Sequence, residues 1–130
     1  MREIIFRGKS TRNGQWEYGS YIHQTEYFGD TAEYHYIVEF CPAKFNYKMM
    51  IFSPIDFETV GQYTGFDDKN GKKVFEGDIL KAEIWWEQGG CYPHTETRFI
   101  EATFPNMYKN HFEKFEVVGN IYDNPELLRG

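Results

Sequence analysis

A chain of 130 residues and 15.5 kDa fits one domain, residues 1–130, and is long enough to bury about two-thirds of its unfolded surface without disulfides or metal. With 41% hydrophobic and 19% aromatic residues it is not a disordered chain, and its longest apolar run, Met49 to Phe52, is far below the roughly 20 residues of a membrane-crossing helix. Fourteen Lys and Arg against twenty Asp and Glu leave a net charge of -6, which opposes sequence-independent binding to a phosphate backbone.

Ile4 to Phe6 is a short β-favouring run. The Asn-Gly turn in Thr11-Arg12-Asn13-Gly14 leads into Trp16, Tyr18, Ser20 and Ile22 alternating on one face, which predicts a hairpin. From Glu33 to Phe40, Tyr34, Tyr36, Val38 and Phe40 share one side and Glu33, His35 and Glu39 the other, with Ile37 the exception, which predicts a half-buried strand. Tyr47 to Phe52, closed by Ser53-Pro54, and Phe57 to Tyr63 are expected as separate strands, because proline brings no amide donor to a ladder.

Asp67-Asp68-Lys69-Asn70-Gly71 is the strongest turn signal, followed by the short Val74-Phe75. Gly77 breaks the chain before Asp78 to Trp86, where Leu80, Ala82, Ile84 and Trp86 form one face and Lys81 and Glu83 the other. Thr95 to Phe104 and Phe115 to Tyr122 are the last strands, the second with Phe115, Val117, Gly119 and Ile121 inward and Glu116 and Asn120 outward. Gln88 to His94 and Asn106 to Phe112 are expected loops, and Asn124-Pro125-Glu126-Leu127-Leu128 has the form of an Asn cap and one helical turn. Strands divided by Gly, Pro and Asn turns, with no helical period between them, predict an all-β barrel or sandwich.

The chemistry-bearing residues point away from catalysis. Glu76-Gly77-Asp78 offers two carboxylates around a glycine, but a bend at Gly77 with Asp78 accepting backbone N–H bonds explains the pattern better than an acid-base or metal pair. Placing Gly71 at the glycine of a calcium loop puts Phe66 and Gly77 where the first and last carboxylates belong, so a hairpin turn is the better account of Asn70-Gly71. His23, His35, His94 and His111 are scattered, and Cys91 with His94 is the only close soft-ligand pair, even if Cys41 and His35 were to join it in space. No nucleophile elbow or phosphate loop is present. The expectation is therefore no enzyme, no cofactor and no metal. Met1-Arg2-Glu3 opens no signal-peptide apolar region, so Cys41 and Cys91 are expected as reduced, buried thiols in a cytoplasm.

Several blocks carry a family resemblance. Phe6-Arg7-Gly8-Lys9, Gly14-Gln15-Trp16-Glu17-Tyr18-Gly19, Glu58-Thr59-Val60-Gly61-Gln62-Tyr63-Thr64-Gly65, Asp68-Lys69-Asn70-Gly71-Lys72-Lys73, Glu76-Gly77-Asp78-Ile79 and Val118-Gly119-Asn120-Ile121-Tyr122-Asp123-Asn124-Pro125-Glu126-Leu127-Leu128 stand in order from end to end. Together they make the chain resemble the YopX family of phage and prophage proteins. The resemblance implies an all-β fold with an SH3-type barrel and additional strands, a phage or prophage origin in a bacterial host cell, and no established activity or catalytic residues. Its structural signature is Gly65, Asn70, Gly71, Glu76, Gly77, Asp78, Gly119, Asn120, Asn124 and Pro125.

Three functions remain open. A protein-binding or self-associating module fits the surplus of aromatics and the acidic balance best. A single-stranded nucleic-acid reader, or an acidic decoy occupying a host protein's DNA site, is the alternative. An enzyme assembled by the fold has only the presence of Asp, Glu and His behind it. No membrane contact is expected. Strand alternation assigns Trp86 to the core and exposes Trp85 beside Lys81 and Glu83, so Trp85 and Tyr92 are the candidate interface residues.

Overall fold

The computed structural model describes residues 3–26, 29, 32–41, 49–87, 93–104, 107 and 112–129; within these, the side chains at 40, 41, 49, 84–87, 93–96, 112 and 113 lie outside the description. The protein is all-β, with strands β1 (Phe6–Ser10), β2 (Trp16–Glu26), β3 (Ala32–Cys41), β4 (Met49–Asp67), β5 (Lys73–Phe75), β6 (Asp78–Glu87), β7 (Pro93–Glu101) and β8 (Phe112–Asn120), then a 3-10 turn η1 (Pro125–Leu128). The chain divides into two compact units, Met1–Gln62 and Tyr63–Gly130.

In the first unit the antiparallel pairings run in a ring, β1 to β2, β2 to β3, β3 to β4 and β4 back to β1. Two separate strands were expected around Pro54, but β4 runs through it. Pro54 forms the last pair with β3, opposite Tyr36, and Ile55 the first with β1, opposite Ser10. Proline thus stands where the strand changes partner and an amide donor matters least. β1 has an irregularity between Arg7 and Lys9, and the Lys9 N–H there reaches the Thr59 hydroxyl at 2.8 Å, which in turn donates to the Asp56 carbonyl.

In β3 Ile37, the exception to the expected alternation, is buried together with Val38. Ile37 is 1% exposed and Ile55 is also buried, while Tyr34 and Ile22 are exposed and Tyr36 is half-buried. Ile37 on the odd-numbered side and Val38 on the even-numbered side are both buried, while towards the hairpin tip the Tyr34-Tyr36 side is outward. Arg7 is buried, with its guanidinium over the Trp16 ring at 4.4 Å, a cation–π contact that lets a charged group sit inside.

In the second unit β6 is central, between β7 and β8, and β5 pairs with the Tyr63–Asp67 end of β4, where an irregularity spans Gly65. Val74, Leu80, Ala102 and Met107 form a closed apolar cluster on which Phe66, Ile100, Phe115 and Val117 pack. Leu80 and Ala82 are buried and Lys81 and Glu83 exposed, as their alternation predicts, but Ile79 and Asp78 are buried too, so the start of β6 is enclosed on both sides. Trp85 and Trp86 fall in β6 with side chains outside the description.

Buried carboxylates organise the turns. Asp68 Oδ1 accepts the backbone N–H groups of Asn70 and Lys72 at 2.9 Å, and Oδ2 accepts Val117 N–H from β8 at 3.0 Å, while Gly71 N–H donates back to the Asp68 carbonyl. Asp78 Oδ2 accepts Phe75 N–H at 2.8 Å across the turn that holds Glu76 and Gly77. Gly77 takes φ +89°, a conformation few side chains tolerate, and a Cβ there would meet the Tyr122 ring at 3.2 Å. A Cβ on Gly119 would stand 2.5 Å from Asn124 Oδ1, the atom that accepts Asn120 N–H. That bond corrects the expected Asn cap: Asn124 makes no side-chain cap to η1, which is one 3-10 turn started by Pro125, and instead locks back onto β8. Asn120 Oδ1 accepts from Tyr122 and Asp123.

Burial raises the pKa of Asp68, but the backbone donors of Val117, Lys72 and Asn70 and the charge of Lys72 outweigh it and hold the carboxyl below the usual 3.8. Because the folded-state value is depressed, the ionised form stabilises the fold at neutral pH, and this contribution is lost as pH falls below about 3.8 through the lower native value. Asp68→Ala is expected to cost about 2–4 kcal/mol at pH 7 by urea denaturation, with the gap from wild type narrowing on acidification. Gly77→Val is expected to cost about 1–3 kcal/mol and lower the melting temperature; an unchanged melting curve would remove the strained bend.

Candidate functional site

The signature residues lie at the turns of the second unit, where Asp68 and Asp78 are committed to backbone donors. The side chain of Trp85 and all of Tyr92 lie outside the described residues, as do Cys91, His111 and the side chains of Cys41 and His94. On the second unit's outer surface a shallow depression is lined by Lys69, Lys81, Glu83, Lys114 and Glu116. There the signs alternate: Lys81 pairs in register with Glu116 and Glu83 with Lys114, and Lys69 Nζ lies 3.1 Å from Glu116. The depression holds three lysines against two interleaved glutamates, so its positive charge is largely neutralised.

The first unit carries two chemically distinct surfaces on opposite sides of the β2–β3 hairpin, because strand side chains alternate. On one side Ile22 faces Tyr36, Tyr36 faces Pro54 and Val38 faces Phe52. Tyr34 and Tyr36 stack at 6.3 Å, and Tyr36 meets Phe52 edge-on at 6.1 Å. Ile22, Tyr34, Phe52 and, one pair further along β4, Met50 are all exposed. Pairing of Ser20 to Gln24 with Tyr34 to Val38 leaves no charged side chain on this side between them. The surface is apolar, aromatic and uncharged.

The other side is inward at Ile37 and turns polar towards the hairpin tip. His23 and His35 are direct cross-strand partners with rings stacked at 4.3 Å, and Glu33 stands two residues before His35 on the same side. Glu33 Oε2 lies 3.9 Å from His23 Nε2 and 4.0 Å from His35 Nε2. His35 Nδ1 meets the Tyr21 hydroxyl at 2.5 Å, and Phe57 stacks on the His35 ring at 5.0 Å. Burial and the nearby Glu33 charge push the Tyr21 hydroxyl above its usual pKa of 10.0, so it is neutral throughout the physiological range. Two imidazoles and one carboxylate, each offering a ligand atom within 4.8 Å of the others, form a metal-capable donor set.

Along the chain His23 and His35 stand apart and read as scattered, since only cross-strand register brings them together. The readable signal was hairpin symmetry: His23 and His35 lie at equal distances on either side of Gly29. The apolar side was visible as the alternation of Tyr34, Tyr36, Val38 and Phe40 in a half-buried strand.

None of the curated proteins compared matches the chain. Among solved structures it is similar to the crystal structure of protein EF1440 from Enterococcus faecalis, at 21% identity over 98% of this chain and 99% of that one, with a TM-score of 0.45. The model of the family described as YopX protein matches residues 5–129, nearly the whole chain. The chain belongs to the YopX family.

Proposed function

We propose that this YopX protein is a non-enzymatic, phage- or prophage-encoded module of the bacterial cytoplasm that works by binding protein, and that the partner on its exposed apolar surface is a second copy of the chain. The closed ring of β1 to β4 supports an SH3-type barrel as the scaffold. One observation carries the proposal: the outer side of β2–β3–β4 exposes Ile22, Tyr34, Phe52 and Met50 around the half-buried Tyr36 without a charged side chain between Ser20 and Gln24 or on the facing Tyr34 to Val38. In a two-fold contact both copies contribute the same patch, which must be complementary to itself, and an uncharged apolar patch meets that requirement without charge pairing. On a chain of net charge -6 an uncharged aromatic surface is suited to that contact.

Stacked tyrosines also suit the alternative, a reader of single-stranded nucleic acid. The absence of Lys and Arg between Ser20 and Gln24 and between Tyr34 and Val38, and the glutamates interleaved with the lysines of the depression on the second unit, weigh against it.

Sedimentation equilibrium of the wild type is expected to show a reversible dimer. Phe52→Glu is expected to weaken it by about 1–3 kcal/mol with the melting temperature of the monomer nearly unchanged, since Phe52 is 49% exposed. A wild-type monomer at all concentrations, or a dimer indifferent to Phe52→Glu, would overturn the self-association. Tight binding to single-stranded DNA with steep salt dependence would favour the alternative.

A further inference from the structure

We propose that His23, Glu33 and His35 bind a divalent transition-metal ion of the zinc class at the tip of the β2–β3 hairpin, through the two Nε2 atoms and the Glu33 carboxylate, leaving one coordination position open to solvent. The observations behind this site are separate from those behind self-association, because its residues lie on the opposite side of the hairpin.

The first observation is placement. Cross-strand pairing sets His23 directly against His35, and the two-residue period of β3 puts Glu33 beside them, so the three ligand atoms lie within 4.8 Å of one another. Metal–donor bonds of about 2.0–2.1 Å in a tetrahedral zinc site put donors roughly 3.3 Å apart. The present 3.9 and 4.0 Å separations of the carboxylate from the imidazoles must therefore close by about 0.6–0.7 Å. The two groups that must move are the exposed ones: the side chains of His23 and Glu33 are 45% and 61% exposed, against 13% for His35. Binding requires the His23 ring to turn out of its parallel stack on His35.

The second observation is orientation. The Tyr21 oxygen, 2.5 Å from His35 Nδ1, can accept an Nδ1–H bond, which leaves the Nε2 lone pair directed to the Glu33 side. Phe57 packs against the same ring and restricts its rotation. A ligating histidine held through its second nitrogen is a recurrent feature of metal sites, and removing such a support lowers affinity about 10–100-fold. The nitrogen donors favour zinc-class ions over calcium or magnesium, which prefer all-oxygen shells.

The test is calorimetric titration of the full chain with zinc, and cobalt substitution read by visible absorption. Expected are one equivalent of zinc bound in the micromolar range or tighter, a tetrahedral cobalt spectrum without a thiolate charge-transfer band, and at least tenfold weaker binding in His23→Ala and Glu33→Ala. Both residues are exposed, so both variants should retain the wild-type circular dichroism. Tyr21→Phe, which keeps the ring and removes only the oxygen, is expected to weaken zinc about 10–100-fold. No saturable zinc uptake, uptake equal in His23→Ala and wild type, a thiolate band placing the metal on Cys41 or Cys91, or undiminished binding in Tyr21→Phe would each overturn the site.

Discussion

The carboxylate of Asp68 accepts three backbone N–H bonds from two stretches of chain far apart in sequence, and the second unit depends on that junction. It closes the turn between β4 and β5 through Asn70 and Lys72 and fastens that turn to β8 through Val117. A buried carboxylate left without donors would be strongly unfavourable, so the turn and β8 are obliged to arrive in one arrangement. Asp78 does the same on a smaller scale, holding Phe75 N–H while its own backbone carbonyl accepts Ala102 N–H. The apolar cluster of Val74, Leu80, Ala102 and Met107 supplies burial. The carboxylates supply the directionality that burial lacks.

The first unit is built on a different balance. Its described apolar interior is small, with Ile37, Val38 and Ile55 joined by buried Arg7, Ser10 and Thr59. Several large side chains of β2, β3 and β4 are therefore left at the surface. Tyr34, Phe52 and Met50 are displaced to the outside, and towards the hairpin tip the inner side passes from Ile37 to His35 and Glu33.

The turns and strand positions were legible in the sequence because their causes are local. Asn70-Gly71, Gly77 and Pro125 announce their conformations through their own chemistry, and β3, β6 and β8 follow from two-residue periodicity. Which side of a strand faces inward was legible only where one side was charged, as with Lys81 and Glu83. In β3 the side of Glu33, His35 and Glu39 also carries Ile37, and Ile37 and Val38 are both buried, so alternation alone does not say where the strand is enclosed. β4 misled for a related reason: Pro54 reads as a strand end unless one knows that the strand changes partner there. The His23–Glu33–His35 group required cross-strand register, a property of two segments at once.

The partner change of β4 also orders the assembly of the first unit in time. The β2–β3 hairpin joins residues as close as Glu26 and Ala32, whereas closure of β1 on β4 joins Lys9 to Thr59, 50 residues away. Chain entropy rises with the loop to be closed, so the local hairpin forms at low cost and the long-range pair at high cost. The hairpin that carries both surfaces is thus expected to exist before the ring is sealed. Its apolar side is then open to another chain at the stage when the remaining strands are still unpaired, and the same exposure that serves recognition in the finished protein is a hazard on the way to it.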